Sequence, residues 1–276
     1  MVGRAGAVRP CGPLSPARAA RAPMELRPVC HSGRMHSPDP LLMTAADHDD
    51  GDTGAGRRAR LAVSRLYVCT DLQRFLRPDR TLDTAAFAHF CAAAFRGGVD
   101  LIQVRDKAVD VAVELAAFAV LVPLAREHGA LSAANDRADV AALAGVDVFH
   151  TGQTDLTTAQ CRALLGPNVV LGRSCHTEAQ VRAARAEDGL DYFCTGPVWA
   201  TPTKPGRAAV GLELPSHAAR LDAEDPAGAR PWFAIGGVDA ERLPEVRAAG
   251  ADRIVVVRAV MQAEDPEAAA RTLRAG

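Results

Sequence analysis

The sequence predicts a closed (β/α)8 barrel, the TIM-barrel class, on three observations. From residue 64 onward, short apolar runs alternate with longer Ala-rich stretches, eight times over about 210 residues. Regular strand-then-helix alternation gives a parallel sheet covered by helices. Eight units without a reversal signal favour closure over an open doubly wound sheet. Finally, Gly98-Val99-Asp100, Gly145-Val146-Asp147, Gly189-Leu190-Asp191 and Gly250-Ala251-Asp252 recur where a helix should end and a strand begin. They read as αβ turns at the bottom of the barrel, with aspartates that serve the turns rather than bind ligands.

Taken in order, the first strand is expected over 65–70. A helix over 82–96 follows, closed by Gly97-Gly98 as its C-cap. The second strand, 100–105, leads to a long amphipathic helix over 111–128 that ends at Gly129. Strand 131–135 precedes a short helix over 138–143, strand 147–151 a helix over 157–165, and strand 169–173 a helix over 177–188. Strand 191–195 runs into a Pro-rich loop and a helix near 215–221. Strand 232–235 is followed by a helix over 240–249, and strand 253–257 by a last helix over 266–274.

Residues 1–60 carry no sustained period and are rich in Pro, Gly, Ala and Arg, so they read as a disordered extension of a barrel catalytic domain spanning 61–276. Six arginines fall in the first 34 residues, followed by Asp47, Asp49, Asp50 and Asp52. No apolar core of a signal peptide is present, and a basic organelle-targeting leader has little support. The expectation is a disordered extension or a start placed too early, with Met35 or Met43 as the beginning.

Composition narrows the function classes. The 276 residues hold 32 Lys plus Arg against 33 Asp plus Glu, so no global positive field draws nucleic acid. No apolar run approaches the ~20 residues of a membrane helix. Seven cysteines, odd in number and without a Cys-x-x-Cys pair, read as reduced thiols of a cytoplasmic protein. No Gly-x-Gly-x-x-Gly follows a strand, which leaves a dinucleotide reading without support.

Chemistry in such a barrel sits where strands run into the following helices. Strand two supplies Gln103, Arg105 and Lys107, alternate residues that an extended chain sends to one side. A planar guanidinium and a compact ammonium suit phosphate oxygens. The other ends supply Asn135 and Asp136; Gly152, Gln153 and Asp155; Ser174 and His176; Thr201, Thr203 and Lys204; Gly236-Gly237; and Val257-Arg258. Asp136 and Asp155 follow adjacent strands. Either alone is an ordinary turn or capping residue. Beside three cations they make sense with Mg2+ between them, an ion held by one or two carboxylates plus phosphate oxygens and water. Backbone amides near Gly237 and at Val257-Arg258 suit a second, metal-free phosphate. One mouth would then accept a diphosphate and a monophosphate.

Eight pieces in order carry a resemblance: Gln103-x-Arg105-x-Lys107, Asn135-Asp136, His150-x-Gly152-Gln153-x-Asp155, Gly172-x-Ser174-x-His176, Gly196-Pro197, Thr201-x-Thr203-Lys204, Ile235-Gly236-Gly237 and Ala249-Gly250-Ala251-Asp252. From residue 65 to the C-terminus the chain resembles the thiamine-phosphate synthase family, transferases that join the two halves of thiamine. The resemblance implies transfer of the pyrimidine methylene from 4-amino-5-hydroxymethyl-2-methylpyrimidine diphosphate to the nitrogen of a thiazole phosphate. Diphosphate leaves first, giving a stabilised carbocation. It further implies Asp136 and Asp155 as Mg2+ ligands, and Arg105, Lys107, Lys204 and Ser174 as the groups acting on the diphosphate. Gln103 and Asn135 would contact the pyrimidine end, with Val104 and Asp106 in the same binding run. Thr201, Thr203, Gly237, Val257 and Arg258 would hold the thiazole phosphate. Such enzymes take small-molecule substrates and neither nucleic acid nor membrane; a homo-oligomer stays open.

Three positions depart from the family pattern. Arg258 stands where a serine is common, Trp199-Ala200 replaces Tyr-Pro, and Arg137 follows Asn135-Asp136 in place of an acid or aromatic. Asp147 begins a strand and belongs at the bottom. His150 reads as a packing or orienting residue, His176 as a source of a supporting hydrogen bond, and Trp199 as either a lid or a loop anchor. Neither Cys175 nor Cys194 has an activating arrangement nearby. Three rivals remain: a thiazole tautomerase, which would not need both the carboxylate pair and the diphosphate cations; a phosphosugar-type isomerase, which should show an acid–base pair; and a non-catalytic binder of thiamine intermediates.

Overall fold

The computed structural model describes residues 53–201 and 208–276. Eight parallel strands close into a barrel in chain order. They are β1 (Leu66–Cys69), β2 (Leu101–Val104), β3 (Leu131–Asn135), β4 (Val148–Thr151), β5 (Val170–Cys175), β6 (Tyr192–Thr195), β7 (Trp232–Ile235) and β8 (Ile254–Val256). Closure is made by β1 against β8, with Tyr67 opposite Val255. The helices are α1 (Gly54–Val63), α2 (Thr84–Arg96), α3 (Val111–Glu127), α4 (Ala138–Ala144), α5 (Thr158–Leu165), α6 (Glu178–Ala186), α7 (Glu213–Glu224), α8 (Leu243–Ala248), α9 (Arg258–Met261) and α10 (Pro266–Ala275). The predicted barrel is thus the observed one. No helix among the described residues is long and apolar enough to cross a membrane.

Strand alternation sorts the core into two layers. On β2, Ile102 and Val104 face the helices while Leu101 faces the barrel axis. The inner layer includes Tyr67, Leu131, Val148, Val170, Tyr192 and Phe233. The Phe233 ring meets Tyr67 edge-on at 5.6 Å and Tyr192 at 5.8 Å, the arrangement that aromatic quadrupoles favour. Tyr192 can lie across the barrel because β5 carries Gly172. A Cβ there would stand 2.1 Å from the Tyr192 ring.

The Gly-x-Asp triplets do what their position implies. Asp100 accepts the backbone N–H groups of Arg65 and Leu66 at 2.6 and 2.9 Å. Asp147 accepts the Ser132 N–H at 2.8 Å and its hydroxyl O–H at 2.7 Å, and Asp191 accepts the N–H of Leu171 at 2.8 Å. Each of these three carboxylates, lying before β2, β4 or β6, thereby fastens the foot of the odd-numbered strand beside it. Asp252, of the fourth triplet, is exposed.

Helix α1 corrects the sequence reading at its edge. Residues 54–60 fall in the stretch read as unfolded, yet they form a helix whose N-cap Thr53 accepts from Gly56 N–H. Its period is hard to see because its inward side is Arg57, Arg58 and Leu61 rather than an apolar stripe. Leu61 enters the inner barrel layer from below. Arg57 lies 3.1 Å from Asp147, both buried, and Arg58 lies 2.6 Å from Asp191. The basic residues thus answer the aspartates of the bottom turns, and α1 caps that end. The remainder of the predicted extension lies outside the described residues. Two further elements were not foreseen, the 3-10 turn Leu72–Phe75 and α9.

Removing one member of a buried ion pair leaves the other charge unsatisfied. Arg57→Ala is expected to lower unfolding free energy in urea by about 3 kcal/mol. Arg58→Ala, at a more open pair, should cost less than about 1 kcal/mol. Equal losses would contradict the role given to Arg57.

Candidate active site

A cavity of about 280 Å3 opens where the strands end, at the mouth opposite α1. Gln103, Arg105, Asn135, Ser174, Thr201, Gly237, Val257 and Arg258 all line it. They come from the ends of β2, β3, β5, β6, β7 and β8, so residues more than a hundred positions apart in sequence share one space. Val104 does not join them: its side chain belongs to the outer layer. Asp106 also turns aside, accepting from the Gln73 backbone at 3.2 Å and its side-chain amide at 2.9 Å. That contact ties the β2 end to the 3-10 turn. The strand period explains both residues, since even positions here face away from the axis. Thr203 and Lys204 lie outside the described residues.

Beside the cavity, Asp136 follows Asn135 with a φ of +60°, a left-handed conformation rare outside glycine and more often tolerated by Asp. Lys107 Nζ lies 2.7 Å from its Oδ2. Asp155 acts on the Asp136 carboxyl and accepts the Gly152 N–H at 2.7 Å. Burial pushes the Asp136 carboxyl up, but the bond and charge of Lys107, the effect of Asp155 and the charge of Arg105 outweigh it. The net result lies below the usual carboxylate range. Among the described residues no cluster of three or more His, Cys, Asp or Glu forms a complete metal cage. A two-carboxylate site of this kind suits an ion whose other ligands come from substrate and water.

The opposite side of the mouth is built from close backbone packing. A Cβ at Gly236 would meet Pro197 at 2.5 Å and one at Gly237 would meet Trp199 at 2.8 Å. Both glycines have positive φ, 105° and 72°. The glycines are therefore needed to let the loop after β6 lie on the loop after β7, where Val198 and Trp199 N–H groups donate to Ile235 and Gly236. Trp199 is an anchor here. Its ring stacks under Arg242, 5.0 Å away, and Arg242 donates to the Gly237 carbonyl at 2.9 Å. Val257 and Arg258 enter the cavity at the start of α9. His176 contacts the Gly196 carbonyl through Nδ1, as a supporting group.

The floor adds Tyr67 and Cys69, which sequence reading missed. Tyr67, Cys69, His150 and Cys194 also line the cavity. Gln103 Nε2 donates to Tyr67 Oη at 2.6 Å, and Cys69 Sγ to Gln103 Oε1 at 3.2 Å. His150 Nδ1 stands 3.0 Å from Tyr192 Oη and its Nε2 2.9 Å from Ser174 Oγ. Burial pushes both phenols well above their ordinary pKa, so they stay protonated. The available signal was register: Tyr67 and Tyr192 sit on the same inward period as Leu101 of β2. His150 orients a neighbour, as its place within a strand implied.

The comparisons with known proteins agree with one another. The family model described as thiamine monophosphate synthase matches residues 67–260. The thiamine-phosphate synthase of Arthrobacter sp. (strain FB24) is 50% identical over 235 residues, 79% of this chain and 96% of that protein. That of Streptomyces avermitilis is 52% identical over 213 residues, 77% and 93% of the two chains. The structure of thiamine phosphate pyrophosphorylase from Pyrococcus furiosus superposes with a TM-score of 0.64 at 29% identity, covering 79% of this chain and 96% of that one. A barrel with this mouth, matched by this family model and by these relatives over most of its length, belongs to the thiamine monophosphate synthase family.

Proposed function

We infer that this barrel makes thiamine phosphate, the product for which its half-identical relatives are named. It would do so by transferring the pyrimidine methylene of 4-amino-5-hydroxymethyl-2-methylpyrimidine diphosphate to the nitrogen of a thiazole phosphate, releasing diphosphate. The observation that carries this reading is the two-sided mouth. Carboxylates and cations stand on the β2–β4 side, and the glycine-packed loops with α9 stand on the β7–β8 side, across one cavity.

The bond to diphosphate breaks with charge building on the leaving oxygens, and the pyrimidine carbocation is captured by the thiazole nitrogen. Preset donors facing that charge lower the barrier most. Arg105 lines the cavity, and Lys107, two residues on and outside its lining, is held by Asp136 until a phosphate competes for it. Lys204, by its place in the sequence, would add a third cation. Ser174 meets the same leaving group, while Gln103 and Asn135 engage the pyrimidine. Thr201, Thr203, Gly237, Val257 and Arg258 hold the thiazole phosphate close, which removes the entropy of encounter. Asp136 and Asp155 fit Mg2+, which when bound neutralises charge on the diphosphate. No side-chain nucleophile is required. The five described cysteines are free and buried, which supports a cytoplasmic enzyme with small-molecule partners.

Mixing both substrates with the protein, with and without Mg2+, should yield thiamine phosphate and diphosphate only when the metal is present. No product under either condition would defeat the reading. Asp136→Ala should reduce turnover about 100-fold while the melting temperature stays close to that of the parent; an unchanged rate would remove the metal assignment. Lys107→Met should lower kcat about tenfold or more, and added salt should not restore it.

A further inference from the structure

The loops after β6 and β7 are joined from behind the cavity by one side chain, Arg242. Its guanidinium lies 5.0 Å from the centre of the Trp199 ring and donates to the Gly237 carbonyl at 2.9 Å. The Arg242 backbone N–H donates to Asp239 Oδ1 at 3.0 Å, and Asp239 Oδ2 lies 3.9 Å from the guanidinium. Gly237, Val238 and Asp239 line the cavity, while Arg242 and Trp199 stand outside its lining. A guanidinium suits that place, because its flat face stacks on an indole while its edge donates.

The peptide plane shows what this contact controls. The Gly237–Val238 bond is trans and planar, so its carbonyl and its N–H point in opposite directions. Holding the carbonyl on Arg242 turns the Val238 N–H to the other side. Among the described residues, no acceptor takes the N–H of Gly236, Gly237 or Val238. Backbone donors away from water are nearly always paired, so three successive open donors at a cavity wall suit the oxygens of an anion. The second loop is held to the first. Val198 and Trp199 donate to Ile235 and Gly236, and Val210 and Gly211 donate back to Pro197 and Val198. Thr201, two residues beyond Trp199, lines the cavity. The fit leaves no slack: a Cβ at Gly237 would stand 2.8 Å from the Trp199 Cβ and 3.2 Å from Arg242 Nη1. The Arg242 charge also faces Asp239, the only carboxylate among the described lining residues, and so offsets its repulsion of a phosphate.

We propose that Arg242 is a positioning residue for the monophosphate: it acts through Gly237 and Trp199 to hold the Val238 amide and the Thr201 segment at one spacing. This rests on the reading above that the β7–β8 side takes the thiazole phosphate. Arg242 itself does not touch that substrate. Its loss therefore weakens binding of one substrate and leaves the chemical step and the diphosphate side as they were.

Kinetics and fluorescence test it together. Arg242→Met should raise KM for the thiazole phosphate about tenfold, with kcat and KM for the pyrimidine diphosphate within about twofold of the parent. Arg242→Lys, which keeps a cation and a donor, should recover part of the loss. Trp199→Leu breaks the same clamp, so combining it with Arg242→Met should cost no more than the larger single loss. The chain has two tryptophans, and Trp232 is buried against Phe193. Trp199 emission, isolated by subtracting the spectrum of Trp199→Phe, should move to longer wavelength in Arg242→Ala as the ring loses its cover. Equal rises in both KM values, a fall in kcat alone, or multiplying losses in the double variant would overturn the proposal; so would unchanged Trp199 emission. A parent protein that made no thiamine phosphate would instead overturn the synthase reading, whereas an active parent with an unaltered Arg242→Met variant would overturn this inference alone.

Discussion

Closure of the sheet is the constraint on which the site depends. With β1 hydrogen-bonded to β8, every inward position points at one axis, and a strand can send a side chain only inward or outward. Gln103 and Arg105 therefore reach the cavity while Val104 cannot. The same rule places aromatic residues of β1, β6 and β7 beneath the mouth as a floor. An open sheet with the same residues would spread these groups over two edges and give no shared space for two substrates.

The two ends of the barrel use opposite charge in different ways. At the bottom, Asp100, Asp147 and Asp191 are engaged by backbone N–H groups and by arginines of α1 or α10, so they hold strands in place. At the top, Lys107 and Asp136 satisfy each other only at an open, partly exposed edge. A phosphate and a cation can take over both partners there without leaving a buried charge alone. What separates the aspartates of the bottom turns from those proposed to act at the mouth is therefore what else each carboxylate touches, since the residue type is the same.

Much of this was legible from residue order. The βα alternation, the Gly-x-Asp turns and the period of two in Gln103-x-Arg105-x-Lys107 each follow from local geometry, and the barrel then brings their ends together. What escaped reading depended on contacts between distant segments. Helix α1 has few apolar residues, and its inward arginines gain meaning only once Asp147 and Asp191 are beneath it. The Gly236-Gly237 pair lines the cavity, and the approach of Pro197 and Trp199, which adds a second demand for glycine there, lies on a loop from another strand. Tyr67 and Tyr192 drew no reading from the sequence because their hydroxyl partners lie on other strands.

The central claim is that one mouth holds a metal-bound diphosphate and a metal-free monophosphate at the same time. Paramagnetic Mn2+ in place of Mg2+ tests it directly through the 31P resonances of both substrates bound to the protein. Strong broadening of the pyrimidine diphosphate signals, much weaker broadening of the thiazole phosphate, and loss of both effects in a variant lacking the Asp136 and Asp155 carboxyls are the predicted result. Equal broadening of the two substrates, or broadening that survives removal of both carboxyls, would contradict it.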